Sequence, residues 1–151
     1  MELPENVTEM VNAHIMGFDA TMGMRYLKVS ADELIAELTV GEQHHQPYGL
    51  VHGGVHAGLI EAVCSTGAAV NVMPEGKSAV GLDNMTSFLR ASRSGTLRCR
   101  ATPIHKGRRS HVWQAEVRDG EDRLLATGRV RLMILDAGAA AAGETVELQG
   151  G

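Results

Sequence analysis

With 151 residues, the chain is long enough for one domain with a real core and too short for two ordinary ones. A hydrophobic fraction of 44% fits a globular protein, and aromatics at 3% leave Leu, Val, Ile, Met and Ala to build the core. A net charge of −4 gives no general affinity for nucleic acid or an anionic membrane, so any anion site must be local.

The start, Met1-Glu2-Leu3-Pro4-Glu5, has no basic residue and no apolar signal core. No apolar run reaches the roughly 18 residues of a membrane span. Cys64 lies in an apolar run and Cys99 in a predicted strand, so both read as buried thiols of a reducing compartment. A cytoplasmic protein without a membrane partner is expected.

Residues 5–17 predict a short helix, with Val7, Met10, Val11 and Ile15 at helical spacing. Strands are expected at 24–29 and 32–40, the second alternating Leu34, Ala36, Leu38 and Val40 with Glu33, Glu37 and Thr39. A loop punctuated by Pro47 and Gly49 follows. A helix is then predicted from about Gly53 to Val72, about 30 Å long at 1.5 Å per residue. It is apolar nearly all round, through Val55, Leu59, Ile60, Val63, Ala68, Ala69 and Val70, which predicts burial. Period-two alternation gives strands at 78–89, 96–104, 110–118 and 123–135, with a hairpin connection at Asp119-Gly120. The expected fold is α+β: antiparallel strands around one buried helix, a domain over 1–136 and a disordered Ala/Gly-rich tail over 137–151.

Glu61 is the only acidic or basic side chain between His56 and Glu75. It is either a helix carboxylate that meets water or an Arg, or a general base or nucleophile. Ser65 stands four residues on, one turn along the same face, placed to steady that carboxylate or to bond back to the i−4 carbonyl. Gly53 and Gly54 make a nearly bare helix start, either a tight turn or an oxyanion hole whose N–H groups face a polarised carbonyl. His52 and His56 have the i, i+4 spacing of a metal pair, but Glu61 falls on the opposite side, which disfavours a metal site. His52 is expected to shape the loop and His56 to be structural. Gly53 and Glu61 are about 12 Å apart along one helix, too far for one small reacting group, so two subunits are expected to meet at the site. The cluster His105-Lys106-Gly107-Arg108-Arg109-Ser110 is either a solvated hairpin turn or a phosphate clamp.

The run Gln46-Pro47-Tyr48-Gly49-Leu50-Val51-His52-Gly53-Gly54, with Glu61 eight residues after Gly53, resembles the hotdog-fold acyl-CoA thioesterases. The branch is that of the Arthrobacter-type hydroxybenzoyl-CoA thioesterase, the dihydroxynaphthoyl-CoA thioesterase and the enterobactin proofreading thioesterase. The stretches Ala79-Val80-Gly81-Leu82-Asp83-Asn84 and 105–109 agree with it. The resemblance implies a five- or six-stranded antiparallel sheet wrapped round the helix, in a dimer that pairs into a tetramer. It implies Glu61 as catalytic carboxylate and Gly53 N–H as carbonyl donor from the other subunit. Gln46 and His52 would support that end, and Ser65 would orient water. Gly81 and Leu82 would line the pantetheine arm, and Lys106 to Ser110 would meet the phosphates. Two relatives carry His where this chain has Phe88, and the branch with Asp on the helix and Asn in the loop is not matched. The expected activity is hydrolysis of an acyl-CoA, aromatic acyl groups included, to free acid and CoA, with no cofactor beyond the CoA of the substrate. A hotdog hydratase or dehydratase acting on an enoyl thioester, and a non-catalytic acyl-CoA-binding module, are the alternatives.

Overall fold

A computed structural model describes residues 2–149. Two short helices, α1 (Val7–Ala13) and α2 (Gly17–Met22), lead into β1 (Arg25–Val29) and β2 (Leu34–Thr39). A loop carrying one 3-10 turn (Glu42–His44) leads to α3 (Gly53–Val72). The strands β3 (Ser78–Phe88), β4 (Thr96–Lys106), β5 (Ser110–Arg118) and β6 (Leu124–Leu135) follow. The six strands form one antiparallel sheet in the order β1-β2-β4-β5-β6-β3, and α3 packs against β2 to β6. This is the hotdog arrangement, a sheet wrapped around one helix.

The sheet can wrap the helix because the middle of one row across it, Ala101, Ala115 and Gly128, is nearly bare. Leu34 pairs with Ala101, Ala101 with Ala115, Ala115 with Gly128, and Gly128 with Thr86. Ile60 of α3 fills the space over Gly128, where a Cβ would lie 2.9 Å from Ile60 Cγ2. The complementary fit is at Gly67 of α3, where a Cβ would lie 2.8 Å from the buried ring of Trp113. Glycine on the sheet receives a helix side chain, and glycine on the helix receives a sheet side chain, which sets the helix close to the strands. With the 3-10 turn after it, α3 is apolar and long enough to cross a membrane by length and composition, but more than half of its apolar window is buried inside the protein.

On the other face of the sheet the strands carry charge. Glu33 meets Lys28 and Arg100, and those hydrogen bonds, Lys28 first, hold its carboxyl below the usual range. Glu37 lies 3.5 Å from Arg98. Exposed pairs of this kind contribute little stability each; they keep that face wet and paired.

Two local expectations are revised. The helix expected over 5–17 ends at Ala13, where Asn12 turns to bond the backbone of Tyr26 through both its amide oxygen and its nitrogen. The chain then starts a second helix, α2, that apolar spacing did not reveal. Beyond residue 136, where disorder was expected, Ala140–Ala141 and Glu144–Thr145 pair as β7 and β8, with each other and not with the main sheet. Such a small ladder has no apolar face, so no alternation marks it. Met1, Gly150 and Gly151 lie outside the described residues, including the last two of the expected tail.

Candidate active site

The loop before α3 is pinned by side chains. His44 is buried; its Nδ1 accepts the Gly41 N–H at 2.9 Å and its Nε2–H donates to Met22 O at 2.8 Å. His45 Nε2 bonds Arg93 O at 2.7 Å, and Arg93 Nη1 donates to Tyr48 O at 2.9 Å. Gln46 turns its side-chain oxygen inward to accept the Tyr48 N–H, which closes the loop tip on itself. His52 N–H then donates to His44 O at 2.8 Å, which delivers the chain to the helix start.

His52 is the N-cap of α3. Its backbone is extended (ψ 136) and its Nδ1 accepts the Gly54 N–H at 2.7 Å. The cap satisfies one of the helix's first donors. Among the described residues no acceptor meets the Gly53 N–H, so that donor stays available at the positive end of a 20-residue helix. The ring of Phe88 lies against Gly53, where a Cβ would come within 2.8 Å of Cζ.

Glu61 sits half-buried on α3. Ser65 Oγ donates to Oε1 at 3.2 Å, and Asn84 Nδ2 donates to Oε2 at 3.0 Å. Asn84 also donates to Ala57 O at 3.1 Å, so one amide holds both the helix backbone and the carboxylate. Ser65 therefore steadies the carboxylate rather than its own helix. Gly81 completes the setting: a Cβ there would lie 2.7 Å from Glu61 Oε1. Gly81→Ala should push the carboxylate off its two donors. A drop in turnover of about tenfold is expected, with melting temperature unchanged. Equal turnover in the variant would show that Oε1 has room to spare.

The apolar helix was expected to be enclosed on every face. It is open along one stripe, Gly54, Ala57, Gly58, Glu61, Ser65 and Ala69, none of them fully buried. Small side chains on either side of Glu61 leave a groove floored by α3. Cys64 lies beside this stripe but is fully buried, and burial, followed by the Glu61 charge, pushes its thiol far up. It cannot serve as a thiolate nucleophile.

The phosphate-clamp residues part company. Lys106 Nζ is engaged by Asp32 at 2.6 Å, with Ala31 O and Asn71 Oδ1 each at 3.3 Å. Gly107 N–H donates to Ser110 O at 2.9 Å and closes the turn, leaving His105, Arg108 and Arg109 exposed. No ion pair forms at Arg108 or Arg109 among the described residues. The turn lies two strands from Gly81: Val80 pairs with Met133, and Met133 with Ser110. At about 4.8 Å per strand the separation is about 10 Å. Leu82, beside Gly81, points outward and is 51% exposed.

His56 is buried, with no partner for Nδ1 and the Phe88 ring 6.3 Å away; burial lowers its pKa, so it is held neutral. No group of three potential metal ligands occurs among the described residues. A cavity of about 720 Å³ between Ser92, Arg93, Asp119 and Arg123 does not include Glu61; the groove over Glu61 is an open face of a single protomer.

Asn84 carries the site's most informative contact, and sequence reasoning did not single it out. Gly81 and Asn84 are three apart, so regular alternation places them on opposite faces. A bulge between Gly81 and Asp83 inserts Leu82 as an extra residue and brings both to the helix side.

Comparison with known proteins identifies the family. The profile of the Thioesterase superfamily matches residues 48–126. The chain belongs to that superfamily. It is 38% identical over 122 residues to Rv1847 of Mycobacterium tuberculosis, which bears an esterase name, spanning 80% of this chain and 87% of that one. It is 31% identical over 119 residues to the 1,4-dihydroxy-2-naphthoyl-CoA hydrolase of Listeria monocytogenes, spanning 79% of this chain and 96% of that protein. The crystal structure of a Haemophilus influenzae thioesterase superposes with a TM-score of 0.77 at 32% identity, covering 87% of this chain and 90% of that one.

Proposed function

We propose that this chain hydrolyses acyl-CoA thioesters to the free acid and CoA. The observation that carries this reading is the Glu61 carboxylate, held by Asn84 and Ser65 on an open stripe of small residues. A group so oriented, with one hydrogen bond on each oxygen, keeps a lone pair on each for chemistry. The Gly53 N–H polarises the thioester carbonyl and takes up the charge that develops on its oxygen. Glu61 acts in one of two ways. It adds to the carbonyl carbon, giving a mixed anhydride that water cleaves, or it takes a proton from water that adds instead. In both, the C–S bond breaks and CoA leaves as its thiolate. Gln46 and His52 hold the Gly53 end in place, Gly81 and Leu82 border the pantetheine arm, and His105, Arg108, Arg109 and the turn through Gly107 and Ser110 receive the phosphates. Lys106 acts there through the turn it anchors.

The two halves of the site come from two copies of the chain. Gly53 and Glu61 are about 12 Å apart along α3, so one carbonyl cannot meet both in a single protomer. The edge strand β3 supports the same reading: among the described residues it has no partner on its outer side, and Leu82, Met85 (77% exposed), Phe88 (60%) and Leu89 lie open along and just beyond it. Such an edge is a template for pairing with a second copy, and pairing of the dimers gives a tetramer.

Thiol release from a panel of aryl, short and long acyl-CoAs tests the reading. Saturable CoA release is expected, weakened for acyl-pantetheines that lack the nucleotide. Loss of enoyl absorbance without thiol release would replace hydrolysis with hydration, and binding without turnover would leave only an acyl-CoA carrier.

A further inference from the structure

We infer that Phe18, on α2, is the side chain that selects the acyl group; the inference rests on Glu61 being the reacting carboxylate. Phe18 is 64% exposed although it is one of only two phenylalanines in the chain. It packs on α3 at Gly58, where a Cβ would lie 3.0 Å from Phe18 Cε1 and 3.3 Å from Met22 Sδ. Gly58 precedes Glu61 by three residues, so the two share a face of the helix one turn apart. The groove over Glu61 therefore has unlike walls. On the β3 side stand Asn84 and Gly81, polar or bare. On the α2 side stands a phenyl ring, with Met16 at the helix cap also exposed.

Direction along the groove follows from charge. The cationic turn is tied through Lys106 to Asn71, ten residues past Glu61 and about 15 Å along α3. A thioester whose phosphates lie at that end carries its acyl group toward the other, where Gly58 and Phe18 are. The segment is built to stand as a unit: α2 is bounded by Gly17 and Gly23, both in the left-handed region (φ +57 and +74), and its Met22 carbonyl is held by His44. The ring is fixed at its base and free at its tip. An apolar acyl group that lies against it gains contact that a two-carbon acyl group cannot reach.

The test compares kcat/KM for acetyl-, butyryl-, octanoyl- and benzoyl-CoA. Phe18→Ala should lower the octanoyl and benzoyl values by about tenfold and leave the acetyl value within about twofold, the scale on which apolar pockets discriminate. Phe18→Leu should restore most of the loss. Gly58→Ala gives an independent check without deleting the ring: its methyl displaces Phe18, while alanine favours the helix, so folding is kept. The same shift in selectivity, smaller in size, is expected. An equal change for every acyl group, no change, or a uniform loss that tracks a fall in oligomer mass on gel filtration would overturn the assignment. Absence of CoA release from every thioester by the unaltered protein would instead remove the hydrolase reading itself.

Discussion

Glu61→Gln is expected to lower CoA release by a hundredfold or more, with the melting temperature unchanged. The glutamine side chain has the same shape, and its oxygen can still accept from Asn84 or Ser65, which donate to the carboxylate at 3.0 and 3.2 Å. What it lacks is the charge that, in the proposed mechanism, attacks the carbonyl or takes the proton of water. A hundredfold loss corresponds to about 2.7 kcal/mol of transition-state stabilisation. The loss should fall on kcat, because the Gly53 N–H and the cationic turn, proposed to bind the substrate, are untouched. Equal rates in the two proteins would place the chemistry elsewhere. Asn84→Ala, read beside it, would separate orientation from charge, because it frees the carboxylate without neutralising it.

The largest expected effect on stability is at Trp113. Its ring is fully buried, fills the space over Gly67 and directs its Nε1–H toward His111 Nδ1 at 3.5 Å. Trp113→Ala should cost about 3–5 kcal/mol. At roughly 2–4 °C per kcal/mol in a domain of this size, the melting temperature should fall by about 6–20 °C. Gly67 makes the test specific. In the native protein Gly67→Ala drives a methyl into the ring and should destabilise by about 1–3 kcal/mol. In the Trp113→Ala background the ring is gone, and the same change should stabilise by up to about 1 kcal/mol, through helix propensity and a smaller void. A sign that did not reverse between the two backgrounds would mean that helix and sheet do not meet at this pair.

The features legible in the sequence share one property: local patterns determine them. The limits of α3 follow from an apolar run that opens at Gly53-Gly54 and closes just before Pro74. The span of β5 follows from the alternation of Trp113, Ala115 and Val117 with Gln114, Glu116 and Arg118. The lone acid on α3 and the bare helix start were visible for the same reason. The unread features depend on residues distant in the chain. Lys106 looked like one more free cation because Asp32, its partner, is 74 positions away. Asn84 was unassigned because a bulge, which the alternation of side chains does not announce, decides which way it points. The short α2 escaped because its packing rests on Gly58 rather than on an apolar stripe of its own.

The extra residue at Leu82 also governs how the sheet's open border can be read by another molecule. If β3 slid one place along β6, Asp83 would lose Arg131, which now donates to it through Nε at 2.7 Å and holds its carboxyl below the usual range. Moved into the place of Asn84, it would face the Glu61 carboxylate that Asn84 now donates to, and two like charges would replace a hydrogen bond. Electrostatics thus holds β3 to a single frame on β6, and with it the set of side chains that this border turns outward.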